Sequence, residues 1–286
     1  MKLIADSGST KTDWVLTHEG RVVATCQTQG INPFHQSEDD ITAILRQELI
    51  PALRQTMDSV QSSIFKVVFY GSGVRPEVGP RMAALLRAVF THAEAEAHSD
   101  LLGAARAVCG RREGVACILG TGANSCLYDG RTIVGNTPSL GYILGDEGSG
   151  AVLGIRFLNA LYKGFMPKSL VADFEGDSGY TLADVIDRVY RRPLANRFLA
   201  SLSPFIARHL DEPALWQLVV DNFRGFFRRN VAPYGRPDLP IGFVGSMAYH
   251  YAAALREAAA AEGFTVGLTM KSPIDGLIAY HQSNTE

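Results

Sequence analysis

The chain has 286 residues, of which 47% are hydrophobic and 20% are charged, and its formal net charge is −2. This length is sufficient for two domains with full cores, and the near-neutral charge gives no reason to expect nucleic acid or an anionic membrane as a partner. No apolar run reaches the roughly 18 residues that a membrane-spanning helix needs. No signal-peptide pattern follows Lys2, so we expect a cytoplasmic protein.

The four cysteines give no sign of a metal site or a redox pair. They are Cys26, Cys109, Cys117 and Cys126, and they form neither a C-x-x-C motif nor a Cys/His set with zinc spacing. We therefore expect reduced thiols that fill space in the core.

The first predicted elements are two strands joined by a small polar loop. Leu3-Ile4-Ala5 and Trp14-Val15-Leu16 flank the segment Asp6-Ser7-Gly8-Ser9-Thr10-Lys11-Thr12, and Glu19-Gly20 predicts a second turn. The periodicity then predicts a helix over 38–54, a buried strand over 66–70, a helix over 81–90, a strand over 93–98 and a helix over 101–108. His35 and His98 are expected at the surface, without partners.

The second half repeats this opening pattern. Cys117-Ile118-Leu119 leads through Gly120-Thr121-Gly122-Ala123-Asn124 into another strand, and Asp129-Gly130 is a strong hairpin signal. Mostly helical patterns fill 153–227, followed by a strand over 241–244, a turn at Gly245-Ser246 and a helix over 247–261. Strands that alternate with helices predict an α/β fold, here of two related halves.

The first polar loop is a candidate phosphate site, although it is not a Walker P-loop, because a strand and not a helix follows it. Its glycine turn could present backbone N–H groups to an anion, and Thr10 and Lys11 add further donors. Asp6 is a hard oxygen ligand that suits Mg²⁺. The alternative is a polar hairpin tip in which Asp6 makes a local turn bond.

Two further segments carry candidate ligand contacts. The second loop, with Thr121 and Gly122, could bind a polyphosphate together with the first. The segment Gly145-Asp146-Glu147-Gly148-Ser149 holds an acidic pair between glycines, where a carboxylate could accept hydrogen bonds from sugar hydroxyls. The alternative is a helix N-cap, which Ser149 can supply without Asp146.

Three other positions remain open between a structural and a functional role. Asp100 heads a helix and is either a cap or the general base of a phosphoryl transfer. Gly245-Ser246 is either a plain β-α turn or a bare surface for an adenosine. Asn32-Pro33-Phe34 is either an ordinary turn or an amide and a ring beside a sugar.

These motifs together resemble the N-acetylglucosamine kinase branch of the BadF/BadG/BcrA/BcrD-type ATPase family, within the sugar kinase, Hsp70 and actin superfamily. The resemblance extends over nearly the whole chain, and the G-T-G-x-N and G-D-E-G-S elements carry it most specifically. It implies two ribonuclease H-like (actin-like ATPase) domains with a nucleotide in the cleft between them. The expected domains are 1–112 plus 275–286, and 113–274 with helical additions. A homodimer is also plausible on this resemblance.

The resemblance also implies a role for each matching residue. Asp6 would serve Mg²⁺, and Asp100 would take the proton from the sugar 6-hydroxyl. Residues expected to bind ATP are Gly8, Thr10, Lys11, Thr121, Gly122, Gly245 and Ser246. Residues expected to line the sugar pocket are Asn32, Phe34, Asn124, Ser139, Leu140, Gly141 and Asp146.

The chain departs from the family pattern at three positions. Ala123 replaces the serine of the usual G-T-G-S-N, which removes one hydroxyl donor. Phe34 and Leu140 stand where tryptophan often occurs, so the sugar pocket could differ in shape.

The sequence therefore predicts ATP-dependent phosphorylation of an amino sugar, with N-acetylglucosamine as the first candidate and ATP and Mg²⁺ as cofactors. One alternative is an ATPase activator of a radical dehydratase, for which the cysteine spacing is odd. Another is a non-catalytic sugar sensor, although only five residues precede Asp6 and leave no room for a DNA-binding domain.

Overall fold

The structure is a computed structural model that describes residues 1–8, 10–56 and 60–282. It divides into two compact units. Unit 1 comprises Met1–Arg112, Gly130–Thr132 and the C-terminal segment from Pro273, and unit 2 comprises Glu113–Asp129 and Ile133–Ser272.

Unit 1 is built on a five-stranded sheet of order β3-β2-β1-β4-β5. Strands β1 to β3 are antiparallel, whereas β4 and β5 run parallel to β1. Its strands are β1 Lys2–Ser7, β2 Lys11–His18, β3 Arg21–Gln29, β4 Lys66–Gly71 and β5 Glu94–Ser99. Its helices are α1 Glu38–Ile44, α2 Ile50–Arg54, α3 Val60–Ser63, α4 Gly79–Val89, α5 Asp100–Cys109 and, from the far end of the chain, α15 Ile274–Gln282. A π-helical segment, Leu45–Leu49, joins α1 to α2.

Unit 2 contains a second five-stranded sheet, of order β10-β9-β6-β7-β8. Its strands are β6 Gly114–Leu119, β7 Ala123–Tyr128, β8 Ile133–Gly135, β9 Ile241–Val244 and β10 Val266–Met270. Between β8 and β9 lie α6 Gly141–Leu144, α7 Gly150–Tyr162, α8 Lys168–Ser178, α9 Leu182–Tyr190, α10 Ala195–Ala200, α11 Ser203–Arg208 and α12 Pro213–Phe226. A π-helical segment, Phe227–Val231, and a 3₁₀ turn, Ala232–Tyr234, extend α12, and α13 Ser246–His250 and α14 Ala252–Ala261 follow β9.

The two sheets have the same topology. In each unit three antiparallel strands are followed by two that run parallel to the first strand. This arrangement confirms the predicted fold class, an α/β protein built from two actin-like ATPase folds.

Each unit has its own hydrophobic core. In unit 1 the core contains the buried faces of β1, β2 and β4 with α1 and α4, and Trp14 and Phe69 are among its largest members. In unit 2 the helices between β8 and β9 supply most of the core, including a group of phenylalanines: Phe157, Phe174, Phe205, Phe223, Phe226 and Phe227. Cys117 belongs to the unit 2 core and Cys26 packs against the unit 1 core, as expected for cysteines that fill space.

Three features of the structure differ from the predictions made from the sequence. The helix expected over 247–261 breaks at Tyr251, whose backbone is not helical (φ −107°, ψ 28°) and whose hydroxyl donates to the Ser203 carbonyl. Strand β10 was not predicted, because it is a partly exposed edge strand that contains Gly267 and has no apolar run. His98 was expected at the surface without a partner, yet it is half-buried, lies 3.2 Å from Glu96 and packs against the ring of Tyr70.

Within the described ranges, none of the helices combines the length and the apolar character required to cross a membrane.

Candidate active site

The first polar loop closes as a tight turn between β1 and β2. The Gly8 N–H donates to the Lys11 carbonyl at 3.0 Å, so this group is used within the turn and is not available to an anion. Ser7 is fully buried, and its hydroxyl contacts Thr12 and donates to the carbonyl of Ile31. Thr10 is exposed, and Ser9 lies outside the described residues.

Lys11 forms an ion pair with Asp13, with 2.9 Å between its Nζ and Oδ2 of the carboxylate. Gln27 also donates to Asp13, at 2.6 Å. The Lys11 side chain is 55% exposed, so it can exchange this partner for a ligand at little cost.

Asp6 and Asp100 lie at the same edge of the unit 1 sheet, near the ends of the parallel strands β1 and β5. Asp6 lies near the end of β1, opposite Asp13 on β2 and Tyr70 on β4. Burial raises the pKa of Asp6 to about 7, with further contributions from the negative charges of Asp100 and Asp13. Burial also raises the pKa of Asp100, against the opposing effect of a hydrogen bond from the Leu101 N–H. A carboxylate whose pKa is raised in this way favours a bound cation or a proton over a bare negative charge.

The N-cap of α5 is Ser99 and not Asp100. The Ser99 hydroxyl accepts from the Leu102 N–H at 3.2 Å, and Asp100 is the first helical residue. One carboxylate oxygen of Asp100 accepts from the Leu101 N–H at 2.8 Å. Ser99 is therefore the N-cap residue, and Asp100 adds one hydrogen bond to an N–H of the first turn.

Asn32 and Phe34 belong to a turn that follows β3. The Asn32 Oδ1 accepts from the Phe34 N–H at 3.0 Å. Phe34 is 58% exposed, and the Arg75 guanidinium lies 5.0 Å from its ring centroid. A Cβ atom on Gly73 would lie 2.1 Å from the Asn32 Oδ1, so the side chain of Asn32 requires glycine there. In the sequence, only the glycines of Gly71-Ser72-Gly73, at the end of β4, pointed to this close contact.

In unit 2 the second loop lies against Asp146. The Gly120 N–H donates to the Gly122 carbonyl at 3.0 Å, and a Cβ atom on Gly122 would lie 3.0 Å from the Asp146 carboxylate. The Ala123 N–H donates to that carboxylate, which opposes the rise in its pKa caused by burial. The structure thus brings together Thr121, Gly122 and Asp146, which were predicted separately.

Ala123 is buried in the core of unit 2. Its side chain is therefore not positioned as a phosphate ligand in this structure. Asn124, its neighbour, accepts through Oδ1 from the Ser125 N–H and from the Asn136 side chain, which ties β7 to the segment after β8.

The segment from Ser139 to Gly145 forms a short helical loop whose ends meet. The Asp146 N–H donates to the Ser139 carbonyl at 2.9 Å, and a Cβ atom on Gly145 would lie 2.0 Å from the same oxygen. Leu140 has a left-handed backbone (φ 63°), as does Gly141, and Leu140 is largely exposed. Four of the predicted sugar contacts, namely Ser139, Leu140, Gly141 and Asp146, therefore lie in one local structure.

The turn after β9 requires glycine. Gly245 has φ +121°, and a Cβ atom there would lie 2.3 Å from the Leu119 carbonyl oxygen, at the end of β6. Ser246 follows as an exposed residue at the start of α13. A Cβ atom on Gly150 would touch both the Gly120 carbonyl and the Met247 side chain, so the second loop, the start of α7 and this turn all meet in unit 2.

No family model matches the chain, and no curated protein matches it. Among solved structures, a "Putative N-acetylglucosamine Kinase" from Porphyromonas gingivalis is 51% identical, with all of both chains covered and a TM-score of 0.95. The protein thus has the fold of the sugar kinase, Hsp70 and actin superfamily. At this identity over its full length, it belongs to the same family as the Porphyromonas gingivalis protein.

Two more distant structures share the fold. A "Putative N-acetylglucosamine Kinase" from Chromobacterium violaceum is 18% identical over 98% of both chains, with a TM-score of 0.64. A "putative N-acetylmannosamine kinase" from Listeria monocytogenes is 12% identical, with 100% of this chain and 99% of that chain covered and a TM-score of 0.53.

Proposed function

We propose that this protein transfers a phosphoryl group from ATP to the 6-hydroxyl of an amino sugar, and that the sugar is N-acetylglucosamine. The observation that carries the proposal is the position of Asp100 at the head of a helix that Ser99 already caps, at the same edge of the unit 1 sheet as Asp6. Burial raises the pKa of both carboxyl groups. The family relation to the Porphyromonas gingivalis protein supports the same activity.

Asp100 is the general base in this proposal. As the sugar oxygen bonds to the γ-phosphorus and the bond to the β–γ bridging oxygen breaks, Asp100 accepts the proton of the 6-hydroxyl. Its raised pKa makes it a better proton acceptor than an ordinary aspartate, provided that it is ionised when the sugar binds.

Asp6 fits a Mg²⁺ ligand by the chemistry of its surroundings. Mg²⁺ is usually bound by one or two carboxylates together with water and phosphate oxygens, and it does not need a cage of protein ligands. Among the described residues no group of three or more acidic, histidine or cysteine side chains could hold a metal, so Asp6 would act with few protein partners. When bound, Mg²⁺ would neutralise charge on the phosphates.

Each unit holds its own candidate contacts for ATP. In unit 1 these are the loop residues Gly8, Thr10 and Lys11. To contact a phosphate, the Gly8 N–H would have to leave the Lys11 carbonyl, and the Lys11 side chain would have to leave Asp13. In unit 2, Thr121 and Gly122 would contact phosphate, and Gly245 and Ser246 would lie beside the adenosine, where a side chain at position 245 would meet the Leu119 carbonyl.

Asp146 would bind the sugar hydroxyls. The Asp146 side chain is buried. A buried carboxylate needs hydrogen-bond donors, and the Ala123 N–H is one of them. The other proposed sugar contacts are Ser139, Leu140 and Gly141 beside it, Asn124 on β7, and Asn32 and Phe34 in unit 1. The domain limits 1–112 plus 275–286 and 113–274, the homodimer and the cytoplasmic location stay predictions.

The test of this proposal is phosphorylation of N-acetylglucosamine with its 6-deoxy analogue as the control. We expect ADP release with the first sugar, a 6-phosphate product by ³¹P NMR, and no turnover with the analogue. Equal ADP release with both sugars would contradict transfer to the 6-hydroxyl.

A further inference from the structure

Two buried asparagines lie on the long helix of unit 2 that begins as α12. Asn222 is on α12 and is fully buried, and Asn230 is in the π-helical segment that follows and is 3% exposed. The buried neighbours of Asn222 on α12 are apolar: Leu215, Val219, Val220, Phe223 and Phe226. An amide in such a position costs free energy unless it is hydrogen-bonded, so both residues need an explanation.

Both asparagines contact the same short loop. We call residues 145–149, which include Asp146, the acidic loop. The Asn230 Nδ2 donates to the Glu147 Oε2 at 3.2 Å, and the Asn222 Nδ2 donates to the Ser149 carbonyl at 3.3 Å. Arg229 adds an ion pair to Glu147, with 3.5 Å between its Nε and Oε1. The helix therefore holds the acidic loop at two points on the C-terminal side of Asp146.

The backbone of Asp146 needs this support. Its φ is 52°, in the left-handed region that an aspartate adopts only at a cost. On the N-terminal side, the Asp146 N–H donates to the Ser139 carbonyl. On the C-terminal side, the Asp146 carbonyl accepts from the Ser149 N–H at 3.0 Å. Ser149 is therefore bonded both to Asp146 and to Asn222.

The π-helical segment also connects the loop to the second hairpin. The Asn230 carbonyl accepts from the buried Ser125 hydroxyl on β7 at 3.0 Å. Ser125 contacts the Tyr234 hydroxyl, which accepts from the Thr137 N–H. Asn230 thus joins Glu147 to β7, whose first residue, Ala123, donates to the Asp146 carboxylate. π-Helical segments are rare and recur at functional sites.

We infer that Asn222 and Asn230 are positioning residues that hold the Asp146 carboxylate in the geometry required for sugar binding. The inference rests on the proposed role of Asp146 in binding the sugar. Neither asparagine is assigned a contact with sugar or ATP, so both act through the acidic loop.

The hydrogen bonds of Asn222 also support this inference. Its Oδ1 is buried and has no hydrogen-bond partner among the described residues. The Ser149 carbonyl also accepts from the Leu153 N–H, so it keeps a partner without Asn222. Leucine at position 222 would therefore remove an unsatisfied acceptor without leaving a buried group unpaired, and we expect it to retain or raise stability. A residue that stability does not require is more readily explained by function.

The test compares Asn222→Leu and Asn230→Leu with Tyr251→Phe. The control removes a buried hydroxyl of unit 2 that bonds to Ser203 and has no bond to the acidic loop. We expect Asn222→Leu to raise the KM for sugar about fivefold, the effect of losing one neutral hydrogen bond, with the KM for ATP unchanged. Asn230→Leu should raise it at least as much, because Asn230 donates to the Glu147 carboxylate. The control should change neither KM.

A second measurement does not depend on catalysis. Amide hydrogen exchange reports the Asp146 and Ser149 N–H groups directly, and we expect faster exchange there in both asparagine variants but not in Tyr251→Phe. If the asparagine variants exchange faster but the wild-type protein does not phosphorylate the sugar, the positioning of the acidic loop is supported and the proposed function is rejected. Unchanged exchange at both amides, or a sugar KM equal to that of the control, would overturn the inference. If Asn230→Leu does not fold, Asn222→Leu decides the question.

Discussion

Ser99 and Asp100 are adjacent at the start of α5 and have separate tasks. The serine caps the helix, whereas the aspartate lies at the same sheet edge as Asp6 and has a pKa raised by burial. One carboxylate oxygen of Asp100 accepts from the Leu101 N–H, and its charge interacts favourably with the helix N-terminus. Its role as the general base stays a prediction.

Asp100→Asn should therefore remove turnover and spare the fold. We expect kcat to fall at least about 100-fold, because a general base contributes that much or more. Nucleotide affinity, measured by calorimetry, should stay within about twofold, since asparagine has a similar shape and Ser99 keeps the cap.

The matched control is Asp39→Asn, which changes an exposed aspartate in the first turn of α1. It removes the same charge from a helix N-terminus without touching the candidate site. Equal, small losses of activity in the two variants would show that Asp100 acts only through the helix.

At the scale of residues, the sequence indicates which residues are candidates for the site better than it predicts the burial and contacts of their side chains. The roles proposed for Asp6, Asp100 and Asp146 come from the motifs and stay predictions. The pairing of Lys11 with Asp13, and the burial of Ala123, could not, because both depend on which face of a strand each side chain occupies. Asn222 and Asn230 appear in the sequence as ordinary polar residues in an amphipathic helix, and only their burial distinguishes them.

At the scale of elements, the turn between β9 and α13 depends on one glycine. The positive φ of Gly245 and the approach of the Leu119 carbonyl leave no room for a side chain. This close approach places the end of β9 against the end of β6, beside the second loop. The turn is therefore expected to matter both for stability and for nucleotide binding.

Gly245→Ala should destabilise unit 2 by roughly 1–3 kcal/mol, the cost of a strained backbone, and weaken binding of an ATP analogue. Urea unfolding and calorimetry measure the two effects. The control is Gly176→Ala, an exposed position in α8 with open space for a Cβ atom, which should gain about 1 kcal/mol. Loss of stability without loss of nucleotide affinity in Gly245→Ala would argue that the turn is only structural.

Elements with strong local patterns were predictable, and elements fixed by tertiary contacts were not. The hairpin signals at Glu19-Gly20 and Asp129-Gly130 predicted the antiparallel strands of both sheets. Strand β10 is defined only by pairing with β9, with an irregular register between Val266 and Thr269. The break at Tyr251 likewise coincides with a tertiary contact, the bond of its hydroxyl to Ser203.

At the scale of the whole molecule, the repeated opening of the two halves predicted the repeated topology, because similar strand–turn–strand patterns fold into similar sheets. The return of the last helix to unit 1 has no local signal. The structure shows how α15 is held: the Tyr70 hydroxyl lies 2.8 Å from the His281 Nε2, Arg106 donates to that hydroxyl, and Lys2 donates to the His281 carbonyl.

This junction predicts a pH dependence of stability. Burial, together with the charges of Lys2 and Arg106, lowers the pKa of His281 to about 3. The unfolded chain binds a proton near pH 6.5 and the folded chain does not, so stability falls as pH drops below 6.5. Between pH 7 and pH 5, we expect the wild-type protein to lose about 2 kcal/mol more than His281→Gln in urea unfolding. His35→Gln, at an exposed histidine, is the control, and equal slopes for wild type and His281→Gln would contradict the assignment.

The most direct test of the central claim is coupled ADP release with Mg-ATP across a panel of sugars and a no-sugar control. The panel contains N-acetylglucosamine, N-acetylmannosamine, N-acetylmuramate, glucosamine and glucose. We predict strong turnover with N-acetylglucosamine, weaker turnover with the other sugars and little without sugar. Hydrolysis of ATP that is independent of sugar would contradict the kinase and favour an ATPase activator, and sugar binding without any turnover would favour a sensor.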